Sequence, residues 1–461
     1  MFFIWVFLPI VLILSRIVPK KGQNILLLIA SLIFYAWGEP VYILLMLVCI
    51  AGNYFLVLLM DRLSRGRGLI LFLSIVFNVG LLGYFKYADF IINVINRIAG
   101  RAVLLPLEIP LPIGISFFTF QAMSYVIDYY RGDYPAEKNI LNLALYISFF
   151  PQLIAGPIVK YRDIRTQISS REVTGGKTAE GIRRFIYGLG KKVIIANTIG
   201  LSVDNIYAID VAYVTGPMAW FAAIGYMMQI YYDFSGYSDM AIGLGKMFGF
   251  DIPENFQYPY LSLSTREFWR RWHISLGSWF REYVYIPLGG NRRGLFFTVI
   301  NTLIVFAVTG LWHGADATFV LWGLWHGLFM VIELLGLSKI LKKAPALGWI
   351  YTFFVAMLGW ILFRAVSLEK TVAILDRMFR PWLYQLSAYS FWEFVGKRML
   401  AAVIAGVVLM GPLQTLIRKR FPKVYALKNS PAELVLCAGI FFVCILSLTG
   451  NTYIPFIYFR F

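Results

Sequence analysis

Residues 310–330 read GLWHGADATFVLWGLWHGLFM. The run holds two of the chain's three histidines, His313 and His326, among residues that are mostly apolar or small. A histidine at membrane depth is costly unless it faces protein, water or substrate, so such a residue marks a functional site by default. The repeated Trp-His-Gly, at 312–314 and 325–327, puts a residue without a side chain beside each imidazole, where backbone or ligand can approach closely. The competing reading is a pair of packed histidines bonded across a helix interface.

The rest of the chain fixes the class. Of 461 residues, 59% are hydrophobic and 14% charged, whereas a soluble domain carries about 25% charged residues. Apolar runs recur from end to end, which predicts an all-α polytopic membrane protein without a separate soluble domain. The first run, Phe2 to Val18, lacks a basic leader and a small-residue cleavage site, so it reads as a retained span. The net charge of +18 comes from Lys and Arg clustered between apolar runs, the positive-inside pattern, and calls for membrane lipids and no nucleic acid. Cys49, Cys437 and Cys444 lie in apolar segments, as core thiols do, and no Cys or carboxylate stands at metal-ligand spacing from a histidine.

Candidate spans are 2–18, 24–38, 42–60, 68–85, 112–129, 139–155, 185–207, 216–234, 295–312, 316–335, 347–366, 398–416 and 432–449. The basic loops predict both termini on the outer side of the membrane. Residues 160–192 are the most basic tract and should be cytoplasmic. That parity requires 112–129 or 139–155 to be re-entrant, and Pro110, Pro112, Pro151 and Pro157 suit broken helices there. Broken backbone at membrane depth implies a cavity.

Three further stretches bear on chemistry. In Arg266 to Tyr283, read as one helix, Arg266, Arg270 and His273 share a face. This is either an amphipathic helix on the anionic leaflet or a vestibule where Arg270, Arg271 and Trp272 meet a phosphorylated donor, with His273 at its throat. In Tyr231 to Asp239, Asp233 and Asp239 flank Ser-Gly-Tyr. Carboxylates beside an apolar run must line a polar cavity or pair with cations, and a helix break held by them is the structural alternative. The tail Phe456-Ile-Tyr458-Phe-Arg-Phe461 is either an aromatic belt anchor or an arm that places Tyr458 in an outer cavity.

At His273 and His313 the pattern resembles the membrane-bound O-acyltransferase (MBOAT) family, in the bacterial branch that O-acetylates alginate and peptidoglycan. The matching blocks are FTFQAMSYVIDYYR (118–131), FFPQLIAGP (149–157), YDFSGYSDMAIGLG (232–245), 253–260, 267–291, 310–327, WILFRA (360–365) and FIYFRF (456–461). The resemblance implies one MBOAT domain over 1–461, a ring of about 11–13 tilted helices with re-entrant pieces around a tunnel, and 456–461 as an acyl-relay-like tail. It implies His313 as the general base, His273 as a second histidine on the cytoplasmic side, and Tyr458 as an acyl carrier. Acetyl-CoA is then a donor substrate, with no cofactor and no metal. An extracellular SGNH-type transferase is the partner, and a cell-surface polysaccharide the final acceptor. His326 takes no such role and reads as structural. D-alanyl transfer to teichoic acid and transport of a glycan or lipid are the alternatives.

Overall fold

The computed structural model describes the chain except residues 64, 366, 385–387, 412, 423–429, 451–455 and 457–461. No strand occurs among the described residues. Six helices are long and apolar enough to cross a membrane: Ile43–Arg62, Arg67–Ala99, Leu295–His313, Ala317–Lys343, Pro345–Arg364 and Pro431–Gly450. Phe3–Ile17 is a shorter apolar helix. The protein is therefore an all-α, multi-pass membrane protein, with free buried cysteines as expected.

Two compact units are distinguished: Met1–Ile182 with Ala241–Pro253, and Arg183–Met240 with Glu254–Phe461. In the first, the helix Ile115–Arg131 is the core element, with fourteen of its seventeen residues buried. Its buried polar side chains are met inside the protein, as where the Thr119 hydroxyl donates to the Ile115 carbonyl at 2.6 Å and the Ser124 hydroxyl to the Gln121 carbonyl at 2.7 Å. Tyr161 meets Tyr125 of this helix edge to face, and Tyr134 and Tyr146 meet Tyr161 in the same way. Helices 43–62 and 67–99 are joined by a reciprocal amide pair. Asn53 Nδ2 donates to Asn78 Oδ1 at 3.0 Å, and Asn78 Nδ2 donates to Asn53 Oδ1 at 2.7 Å.

In the second unit, Leu295–His313 and Ala317–Ile332 form a tight hairpin. Asp316 caps the returning helix, accepting from the Thr318 amide at 2.8 Å. The hairpin closes on glycine. A Cβ at Gly310 would collide with the Phe319 carbonyl, and one at Gly323 with the Phe306 carbonyl. This is the close approach that small residues permit between membrane helices.

Several expected segments differ in the structure. The 139–155 segment is helical only over Ile140–Ser148, nine residues that rise about 14 Å, short of a membrane crossing. The 398–416 segment is helical over Lys397–Leu409 and then turns. The 216–234 helix continues to Met247, straight through Asp233-Phe-Ser-Gly-Tyr-Ser-Asp239, so no helix break exists there. Its carboxylates are neutralised laterally by cations, and no cavity of unwound backbone is needed to hold them. Conversely, 266–283 is not one helix. It splits into Thr265–Arg271 and Ile274–Phe280, with His273 between them at φ 46°. That left-handed backbone, unusual for a residue with a side chain, takes His273 off the face shared by Arg266 and Arg270.

Candidate active site

Three short stretches of the second unit build the site. His313 is the last residue of the 295–313 helix and is 2% exposed. His273, at the break, is fully buried. Their rings lie 6.3 Å apart, centroid to centroid, with planes at 61°. Residues 40 apart in sequence thus meet because the break at His273 turns its side chain into the interior. Aromatic rings wall both imidazoles. Trp322 and Phe363 stand edge-on to His313 at 5.0 and 5.4 Å. Phe234 stands edge-on to His273 at 4.7 Å.

A neighbour that sequence reading missed governs the state of His273. Asn255 Oδ1 accepts from the Ser275 backbone amide at 3.1 Å and from its hydroxyl at 2.9 Å. An atom that accepts from a peptide N–H is the carboxamide oxygen, so the same atom, 3.3 Å from His273 Nδ1, must accept there too. His273 therefore carries its proton on Nδ1 and presents Nε2 as the basic nitrogen. Burial pushes its pKa down to about 3, which keeps the ring neutral at physiological pH. Asn255 lies in an irregular segment with no periodicity, and only its side-chain contacts reveal it.

Beside the histidines opens a cavity of about 610 Å³. Arg266, Arg270 and Arg281 line it, no acidic residue does, and its apolar wall includes Val305, Phe306 and Met330. Ile274, next to His273, and Thr309, one turn before His313, also line it. The cavity thus comes within one residue of one imidazole and one helical turn of the other. No carboxylate pairs with these three guanidiniums among the described residues.

The remaining expected residues lie elsewhere in the second unit. Arg271 is engaged by Glu267 at 2.6 Å and by the Gln257 carbonyl. Trp272 is core, stacked on Phe268 at 12°. Asp233 pairs with Lys192, both buried. Asp239 accepts from Arg184 at 2.7 Å and Lys191 at 2.6 Å. Of the two readings open for these carboxylates, pairing with cations is the one realised. Tyr458 lies outside the described residues. His326 is wholly buried, sandwiched parallel to Phe268 and edge-on to Trp269 and Trp322, and neither ring nitrogen has a hydrogen-bond partner among the described residues. Sequence reading also passed over Arg281 as a cavity residue, since its approach to Arg266 and Arg270 depends on the break at His273.

Comparison with known proteins identifies the family. The chain is 39% identical to a probable alginate O-acetylase AlgI of Pseudomonas putida, across 100% of this chain and 99% of that protein. It is 36% identical to a peptidoglycan O-acetyltransferase of Helicobacter pylori, across 82% of this chain and 78% of the relative. A teichoic acid D-alanyltransferase of Bacillus subtilis is 29% identical over 45% of this chain. Residues 136–368, which hold both histidines and every arginine of the cavity, match the model of the membrane-bound O-acyltransferase family. The protein is a member of that family and an O-acyltransferase.

Proposed function

We propose that the protein moves an acetyl group from cytoplasmic acetyl-CoA across the bacterial cytoplasmic membrane to an extracellular SGNH-type partner, for O-acetylation of an exported or cell-wall polysaccharide. The observation that carries this reading is the triple-arginine cavity without acidic lining that approaches, at Ile274 and Thr309, two imidazoles enclosed by aromatic rings. Guanidiniums without carboxylate partners suit the phosphates of a nucleotide thioester. The apolar wall suits its pantetheine arm, and aromatic enclosure of the histidines keeps water from hydrolysing the thioester. The names of the full-length relatives favour acetyl as the group transferred and a polysaccharide as its destination.

The chemistry follows from the rings. A hydroxyl attacks the thioester carbonyl, an imidazole takes its proton, and the collapsing intermediate expels the thiolate, which recovers a proton from the imidazolium. His313 acts as the base. His273 holds a fixed tautomer beside it through Asn255. In this reading the attacking hydroxyl is the Tyr458 phenol, whose pKa of about 10 needs such a base, and the tyrosyl ester passes acetyl to the partner.

Intact-protein mass spectrometry after incubation with acetyl-CoA tests this. One acetyl adduct on the C-terminal peptide is expected in wild type, and none in His313→Ala or Tyr458→Phe. An adduct that persists in Tyr458→Phe removes the relay. Normal polysaccharide acetylation by His313→Ala removes the general base, a group worth about 100–10,000-fold in rate.

A further inference from the structure

The Lys192–Asp233 pair is expensive and has no role in the site above. Both partners are buried, at 5% and 2% exposure, and the desolvation of a buried ion pair can exceed its Coulombic return. Its setting is built with care. The helix that carries Lys192 widens into a π turn over Lys191–Ala196, a feature that clusters at functional positions. Gly188 and Gly236 bring that helix against the 216–247 helix so closely that a Cβ on either would meet the other's backbone. The approach lets Lys192 reach Asp233.

The ammonium has a second neighbour. Lys192 Nζ sits 4.5 Å from the centre of the Phe456 ring. Tyr237, one helical turn after Asp233, meets the same ring edge to face at 4.9 Å and 89°. Phe456 comes from the far end of the chain, more than 200 residues away. One turn back from Tyr237, Phe234 touches His273 at 4.7 Å. A ring docked on Tyr237 is therefore one helical turn from a residue that walls the candidate active site.

We propose that Lys192, Asp233 and Tyr237 form a docking seat for the C-terminal tail, which grips Phe456 through a cation–π contact and so delivers the following residues to the histidine site. The seat rests on the reading of Tyr458 as the acyl carrier. Asp233 holds the ammonium in place, and Lys192 turns it toward the aromatic face, where a desolvated cation binds best. Two residues of chain span at most about 7 Å, so holding Phe456 limits the reach of a group carried two residues later. Lys192, Asp233 and Tyr237 are positioning residues and touch no reacting atom.

The test uses the full-length protein in membranes. Phe456→Leu keeps an apolar side chain but removes the π face, while Phe456→Trp strengthens it. Acetyl transfer should fall about tenfold or more in Phe456→Leu, the share a buried cation–π contact controls, and stay near wild type in Phe456→Trp. Docking itself is read independently. With Cys49, Cys437 and Cys444 replaced by serine and the rings of Tyr237 and Phe456 left intact, the pair Met240→Cys, one helical turn after Tyr237, and Ile457→Cys, next to Phe456, should join through a bis-thiosulfonate, and the yield should drop when Phe456→Leu, or Lys192→Met with Asp233→Asn, is added. Absence of the crosslink overturns the seat, as does equal activity in Phe456→Leu and wild type while Tyr458→Phe is inactive. If Tyr458→Phe remains active, the relay fails, and the crosslink alone then decides whether the tail docks.

Discussion

Two clusters of basic residues in the second unit use the same side chains for opposite ends. Arg184, Lys191 and Lys192 are matched by Asp239, Glu254 and Asp233, with Arg184 gripping Glu254 through both terminal nitrogens at 2.9 and 2.6 Å. Arg266, Arg270 and Arg281 face a cavity that contains no acid. The first cluster has its anions built in and joins helices. The second has no carboxylate partner among the described residues, and the proposed function assigns it an anion from outside. Composition does not distinguish the two, since both are basic runs beside apolar helices. The difference lies in whether tertiary contacts supply the counter-charge.

The sharpest break of this contrast is Lys192→Met alone. It strands a buried carboxylate, and removing one partner of a buried pair costs about 3–5 kcal/mol. The thermal midpoint in detergent should drop steeply, and Lys192→Met with Asp233→Leu should recover most of it. Recovery that fails would mean the pair holds more than its own charges. In the second cluster, Arg270→Ala should raise the acetyl-CoA KM about tenfold, the worth of one charge-assisted hydrogen bond, with the midpoint nearly unchanged. A drop in stability without a KM effect would move Arg270 into the structural class. Arg271→Ala sharpens the boundary between the clusters. Its guanidinium already binds Glu267 in a partly exposed i,i+4 pair, so about 0.5 kcal/mol of stability is at stake and the donor KM should hold.

A separate effect concerns pH. The His273 pKa is about 3 in the folded protein, against about 6.5 when unfolded. The unfolded chain therefore binds the extra proton between those values. Stability conferred by the neutral ring is complete above about pH 6.5 and falls by about 1.4 kcal/mol per unit as pH drops toward 3. Chemical denaturation at stepped pH should show His273→Gln with a slope shallower by one proton. An unchanged slope would mean the ring is not held neutral.

Much of this site was legible before any fold was known. His273, His313, Arg270 and the glycine-rich Trp-His-Gly repeat stand out because polar groups in apolar runs are rare and costly, and a linear pattern suffices to see them. Asn255 did not stand out. One Asn in a loop carries no signal until its oxygen is found accepting from Ser275 and His273. Reading 266–283 as one helix failed for a related reason. Its spacing is helical on both sides, and the single left-handed residue at His273 is imposed by what surrounds it, including the Ile274 amide donating to the Asn255 carbonyl at 3.0 Å.

Sequence alone determined the solvent of this protein, its helical class and its family, because hydropathy and motif order are properties of neighbours along the chain. Tertiary structure alone decided which charges are spent on one another. Asp233 and Lys192, 41 residues apart, and Arg184 and Glu254, 70 apart, find each other only when helices pack. The same packing brings His273 to His313 and leaves three arginines to face a cavity. Pairing across such distances is set by geometry, which no local pattern encodes.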